Sequence, residues 1–313
     1  MKEEVSEFKV EEWLSKLSWP KKDSHKGQNG RVLVIGGSSL FHAAPFWAAN
    51  AASRIVDMVH FSSPYLLNNK LVEEKAKRGF WNGIVVSWKE VERYIEEDDV
   101  VLIGPGMMRR NKAISGRDDG FNLKSVSDLP DDTKGIVRYL LRKYPEKKWV
   151  VDGGALQEVE LGWLNEKMIV TPNQKELSIL FGKFKITTQN LKLFRLEMVK
   201  KIVEETGATV VAKGVVDLVV GHNVKEDFFH IIEVGGGGPG MTKGGTGDVL
   251  AGIIAGLYAT NEAIVAGVVG SYLNKKIGEK LGKEQVWFNA SDMISGLELE
   301  INALDYSHNQ QEV

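Results

Sequence analysis

Short apolar runs that empty into glycine, proline, asparagine or aspartate recur along this chain, and they constrain its fold more than any other feature. "RVLVIGG" (31–37), "DMVHFSSP" (57–64), "DVVLIGPGM" (99–107), "KKWVVDGGAL" (147–156), "MIVTPN" (168–173), "ATVVAKG" (208–214) and "VDLVVG" (216–221) share this form. Consecutive apolar residues mark strands buried on both faces, as inside a parallel sheet. Helical patterns lie between them: "FWAANAASRIV" (46–56), 133–143, and 189–206 with a glycine stop in "ETGA". The order predicts an α/β chain with a mostly parallel sheet covered on both sides. Residues 1–27 read as an N-terminal amphipathic helix and polar linker stopped at Pro20, 28–306 as a single domain, and 307–313 as a polar tail. The polar stretch 107–132 reads as an insertion at the sheet's ligand edge.

Lys+Arg 40 against Asp+Glu 42 gives a net charge of −2, so no global field draws the chain to nucleic acid or to an anionic membrane. The absence of cysteine removes disulfides, thiol nucleophiles and cysteine zinc sites. The charged N-terminus has no apolar core of the secretory kind, and no apolar segment is long enough to span a bilayer. The cytoplasm is the expected location. The six histidines form no visible ligand constellation, so no metal ligand is assigned directly.

The most specific stretch is "GGGGPGMTKGGTGDVLAGIIAGL" (235–257). Its second half is apolar almost all round and therefore a buried helix. The entrance offers unpaired N–H groups, the positive end of a helix dipole, and glycines that admit phosphate oxygens to the backbone. Thr246 can cap the helix or offer a hydroxyl. A carboxylate cap at Asp248 would oppose a bound anion, which points to a base drawing a proton from an attacking hydroxyl. The loop lacks the Gly-Lys-Ser/Thr ending of a P-loop, and "VLVIGGSSLFHAA" lacks the dinucleotide-fingerprint spacing.

Further pieces stand in order along the chain: "HKGQNGRVLVIGGSSLFHAAP" (25–45), "VLIGPGM", "VVDGGAL", "VTPNQKEL", "GATVVAKG" and "NASDM" (289–293). With the glycine loop they resemble ribokinase-like enzymes, and more closely the NAD(P)H-hydrate dehydratases, over residues 25 to 295. The resemblance implies a ribokinase-like three-layer α/β/α sandwich, with 28–306 as the catalytic domain. It implies ADP-dependent dehydration of the (S)-epimer of hydrated NADH or NADPH, with Mg²⁺ and with ADP (or ATP) as phosphoryl donor. Asp248 would activate the hydrate hydroxyl, and Gly244, Gly245, Thr246 and Gly247 would form an anion hole. Lys213 and Lys243 would meet phosphates. Asn173 and Glu176 match an Asn-x-x-Glu pattern that arranges Mg²⁺ waters, although a plain capping box explains the same spacing. Ala43, Gly106, Asn173, Gly238 and Asp248 would line the acceptor side. His25 and Lys26 belong to the opening motif near the site, and Arg109 and Arg110 could meet a dinucleotide. A homo-oligomer and a separate epimerase are expected partners.

The chain departs from the family pattern mainly on the acceptor side. Ala43 and Gly238 stand where glycine and asparagine are usual, Asn173 where histidine is usual, and Gly154 where many members carry aspartate. "SRIVD" (53–57) replaces a glycine-rich run that permits close packing. Two alternatives therefore stay open: a kinase for a hydroxyl of a small metabolite or vitamin precursor, and a nucleotide-binding protein without catalysis.

Overall fold

A computed structural model describes residues 2–5, 9–77, 82–108, 125–126, 132–182, 191–223 and 228–311. Its strands are β1 (Lys2–Val5), β2 (Arg31–Ile35), β3 (Met58–Ser62), β4 (Gly83–Val85), β5 (Val100–Ile103), β6 (Lys148–Val151), β7 (Met168–Val170), β8 (Thr209–Ala212), β9 (Asp217–Asn223) and β10 (Phe228–Val234). They form one sheet in the order β1-β10-β9-β8-β7-β6-β5-β2-β3-β4. From β4 through β8 every neighbouring pair is parallel, β9 and β10 pair antiparallel, and β1 adds parallel to β10.

Alternate residues of each central strand feed two separate cores, because successive side chains leave a strand on opposite faces. Val32, Val34 and Leu102 pack against α2 (Ala43–Ala52), α9 (Thr246–Thr260), α10 (Ala263–Glu284) and α11 (Ala290–Gln311). Leu33, Ile35 and Ile103 pack against α4 (Val91–Glu97), α5 (Thr133–Lys143), α6 (Gly153–Glu158), α7 (Gln174–Phe181) and α8 (Leu191–Thr206). Two further helices are α1 (Val10–Leu14) and α3 (Leu66–Lys77). The result is the expected three-layer sandwich. Among the described residues no helix is long and apolar enough to cross a membrane.

Several boundaries differ from the sequence reading. The N-terminal segment opens on strand β1 before its helix, and Trp13 of α1 is buried in the core. Residues 46–56 hold a helix that starts earlier, at Ala43, and ends at Ala52; Pro45 fits because it lies in the first turn, where its missing N–H has no helical partner. Phe228–Val234, unread as a strand, closes a hairpin on β9. The last helix runs to Gln311, through residues expected to form a polar tail. The stop on α8 is as read: Gly207 has φ +73° and its N–H bonds back to Val203 O at 2.7 Å. Most of 107–132, including Arg109 and Arg110, lies outside the described residues.

Candidate active site

Glycines on α9 set where the site can be. A Cβ at Gly252 would lie 2.2 Å from Ala48 O, so α2 and α9 approach backbone to backbone there, and one at Gly256 would lie 3.0 Å from the side chain of Ile55, just past the end of α2. Together with Gly245 against Trp47, these contacts advance in the same direction along both chains. The two helices are therefore parallel, and their positive ends meet at one edge of the sheet. Ile55 belongs to the "SRIVD" segment, and its bulk is taken up by Gly256 opposite. The loops after β2 and β5 lock together at that edge through Gly37 N–H to Pro105 O at 2.8 Å. This is where the strand order reverses, the usual place for a ligand crevice.

Polar residues at the carboxyl ends of β6, β7 and β8 converge under the start of α9. Asp152 is 2% exposed and accepts hydrogen bonds from Lys213 Nζ at 2.7 Å and from the Thr171 hydroxyl at 2.6 Å. Asp248, in the first turn of α9, remains partly open to solvent. Burial pushes its carboxyl up, and the charges of Asp152 and Glu176 outweigh the opposing Lys213, so it stands at about 7. Burial works against the Lys213 ammonium, but Asp152, Glu176 and Asp248 hold it above the usual lysine value. One cation thus sits among three carboxyls, and Asp248 can take or release a proton near neutrality.

The helix entrance itself is uncapped by any side chain. Its N-cap, Gly245, has φ +99°, and a Cβ there would come within 2.4 Å of the Trp47 ring, so the fold requires this glycine. Gly244 has open space where a Cβ would lie, and a Cβ on Gly247 would meet only Lys213 Nζ at 3.5 Å. These two glycines answer no packing demand; they leave the floor above Lys213 clear. Thr246 donates its hydroxyl to Met241 O at 2.7 Å and Lys243 O at 3.0 Å, closing the loop on itself. Its donor is therefore not available to a ligand. A cavity of about 570 Å³ runs beside this entrance, lined among others by Asn173, Lys213, Asp217, Gly238, Gly247 and Lys275.

The remaining expected residues divide. Asn173 and Glu176 do form the capping box: Asn173 Oδ1 accepts from Lys175 and Glu176 N–H, and Glu176 Oε2 accepts from Asn173 N–H at 2.9 Å. Glu176 is 4% exposed and its Oε1 accepts from Gln157. The box also delivers this carboxylate within electrostatic reach of Lys213 and Asp248. Lys243 Nζ lies 5.7 Å over the ring of the exposed Trp287. Gly106 has φ +70° and packs on Pro45 and Phe41, so its glycine serves the turn. Ala43 is exposed on the first turn of α2. Gly154 lies against Met107 O, where a side chain would come within 2.0 Å, and no second aspartate would fit.

His25 and Lys26 are not at this site. They precede β2, whereas the crevice lies beyond its carboxyl end. His25 lines a different cavity, of about 770 Å³, with Arg54 and the C-terminal residues Leu257 and Thr260 of α9. A fifteen-residue helix separates the two ends by about 22 Å. Asp152, in contrast, stands in the sequence only as the end of a strand, in "VVDGGAL". Its signal is a lone acid closing the apolar run "WVV". Among the described residues no three His, Asp or Glu side chains are grouped to hold a metal directly.

A family model described as NAD(P)H-hydrate dehydratase matches residues 32–298. The bifunctional NAD(P)H-hydrate repair enzyme Nnr of Methanocaldococcus jannaschii is 31% identical over 272 residues, covering 85% of this chain and 46% of that protein, so the chain spans about half its length. The ADP-dependent (S)-NAD(P)H-hydrate dehydratase of Nitrosopumilus maritimus is 30% identical over 281 residues, covering 82% of this chain and 86% of that protein. A ribokinase-like superfamily protein from Enterococcus faecalis superposes with a TM-score of 0.73 at 23% identity over 95% of both chains. The ADP/ATP-dependent NAD(P)H-hydrate dehydratase from Bacillus subtilis, co-crystallised with ATP and Mg²⁺, gives 0.72 at 18% identity over 96% of this chain and 99% of that one. The fold is ribokinase-like.

Proposed function

The chain belongs to the NAD(P)H-hydrate dehydratase family, and from that premise we propose that it dehydrates the (S)-epimer of hydrated NADH or NADPH at the expense of ADP, releasing NAD(P)H, AMP and phosphate. The observation that carries the reading is Asp248, a carboxyl lifted to about 7, set in the first turn of an uncapped helix beside Lys213. Asp248 takes the proton of the hydrate hydroxyl. The oxygen attacks the terminal phosphorus of ADP, the bond to the bridging oxygen breaks, and AMP leaves. The first-turn amides of α9 and the Lys213 ammonium face the charge that develops on the transferred phosphoryl group. The ring nitrogen's electron pair then expels phosphate from carbon, and loss of a proton from the neighbouring ring carbon restores the dihydronicotinamide. Hydroxide would be a poor leaving group here; phosphate is a good one.

Mg²⁺, bound with the nucleotide, would neutralise phosphate charge. Both Glu176 oxygens are already engaged, by Asn173 N–H and by Gln157, so Glu176 would reach the ion through water. We place the protein in the cytoplasm, alongside the pyridine nucleotides it would repair. Incubating it with Mg²⁺, ADP and (S)-hydrated NADH is expected to restore the absorbance of reduced nicotinamide and yield one AMP per NADH. No recovery with either ADP or ATP removes the dehydratase reading. A stable phosphorylated alcohol from a hydroxyl-compound screen would establish the kinase alternative instead.

A further inference from the structure

The turn from Lys213 to Asp217, between β8 and β9, forms one wall of the 570 Å³ cavity, and the glycine loop 236–238 forms another. The turn's carbonyl oxygens are held from both layers of helices. From α10, Lys275 Nζ donates to Gly214 O at 2.5 Å and Val215 O at 3.0 Å, and pairs with Asp217 Oδ1 at 3.2 Å. From α8, Arg195 donates to Ala212 O at 2.6 Å and Val216 O at 2.9 Å. Gly214 makes room for that guanidinium, since a Cβ there would lie 3.0 Å from Arg195 Nη2. Asp217 itself accepts from Gly214 N–H at 2.8 Å, which closes the turn.

The stem of Lys275 meets the other wall. A Cβ on Gly236 would lie 3.4 Å from Lys275 Cβ, and one on Gly237 would lie 3.3 Å from Lys275 Cδ. One side chain therefore touches both backbone segments that bound the cavity: its stem lies on the glycine loop and its ammonium holds the turn. Lys275 and Asp217 are 5% and 2% exposed. A pair buried to that degree gives up most of its Coulomb energy to desolvation, and an apolar pair of similar volume would pack as stably. Its contribution is geometric. Asp217 Oδ2 and Asn274 Oδ1, on two residues of this wall, are buried without a hydrogen-bond partner.

We propose that Lys275, with Asp217 as its counter-ion, is a positioning residue for the nucleotide: it sets the spacing between the 213–217 turn and the 236–238 loop, and so the width of the slot that takes the nucleoside half. The proposal rests on the reading of this cavity as the nucleotide site. The phosphate end is held separately, at Gly244, Gly247 and Lys213.

The test is the double variant Lys275→Met/Asp217→Asn, because Lys275→Met alone leaves a buried carboxylate uncompensated and is expected to lower stability by itself. Binding of ADP and of inorganic pyrophosphate, each with Mg²⁺, is measured by calorimetry on wild type and variant. The expected result is an ADP Kd raised about tenfold or more, a pyrophosphate Kd unchanged, and a kcat at saturating ADP within about twofold. Lys276→Met, which breaks the neighbouring pair with Glu300 (3.2 Å) away from the cavity, should lower the melting temperature without altering ADP affinity. An unchanged ADP Kd in a folded double variant overturns the proposal, and so does an equal loss for ADP and pyrophosphate, which would signal general loosening. Should wild type bind neither, the nucleotide reading itself falls and takes this inference with it.

Discussion

Asp248 concentrates the chemistry of the site in one titration. Its carboxyl is raised from 3.8 to about 7, first by burial and then by Asp152 and Glu176, with Lys213 opposing. Between those values the folded protein keeps a proton that the unfolded chain has released, so this group makes stability fall as pH rises across the window. Asp248→Asn removes the effect: its melting temperature should gain on wild type above pH 7 and match it near pH 4. The same variant should lose about a hundredfold or more in turnover, with nucleotide affinity little changed. The acid limb of wild-type kcat/KM should fall near 7. Turnover that survives the substitution would exclude Asp248 as the base. The glycines beside it, alike in sequence, divide by environment. Gly247→Val should spare the fold and abolish tight ADP binding, whereas Gly245→Ala meets both a positive φ and the Trp47 ring, and should destabilise by about 1–3 kcal/mol. Equal melting temperatures for these two variants would contradict that division.

Helices α2 and α9 are the elements that turn these residues into a site. Neither helix reveals its partner by itself. Their parallel packing depends on Gly252 and Gly256 opposing Ala48, Ala51 and Ile55, and it aligns two positive helix ends at one edge of the sheet. Gly252→Leu would force the helices apart, because even a Cβ would stand 2.2 Å from Ala48 O. The expected outcome is a lower melting temperature together with weaker ADP binding, since the entrance of α9 moves with its axis. A variant that melts early yet binds ADP normally would show that this packing does not position the entrance. The capping box of α7 is the opposite case: Asn173 and Glu176 sit three apart, so the local reading and the observed hydrogen bonds agree. That the box also aims Glu176 at Lys213 is a property of the sheet, not of the helix.

At the scale of the whole molecule, one sheet with a core on each face gathers the site residues at its strand ends and at the first turns of α7 and α9, and helices from both layers reach the cavity walls. Ligand binding should therefore register as global stability. ADP with Mg²⁺ at a hundred times its Kd is expected to add about 2.7 kcal/mol, seen as a raised melting temperature that depends on concentration. Gly247→Val should keep the melting temperature of the free protein and lose the ligand-induced rise. A rise of wild-type size in that variant would place the nucleotide elsewhere, and the 770 Å³ cavity at the far end would then be the first place to look.

The alternation of buried strands and helices, the uncapped glycine entrance and the capping box follow from local pattern, because each depends on residues within a few positions of one another. The central strands, α5 and the end of α8 were legible for that reason. β1 and β10 were not: β1 is a short edge strand defined by the neighbour it pairs with, and β10 is defined by its long-range pairing with β9 and β1 at that end of the sheet. Of the companions of Asp248, Glu176 and Lys213 were named through the resemblance and Asp152 was not; the strand order is what brings the ends of β6 and β8 and the first turn of α7 together so that their charges meet. His25 and Lys26 show the converse error, for a motif continuous with a site segment in sequence was carried by one strand length to the opposite end. Chemistry that needs a loop and the first turn of its helix is written in the sequence; chemistry that needs charges to meet across a sheet exists only once the chain has folded, because electrostatic interaction depends on distance in space.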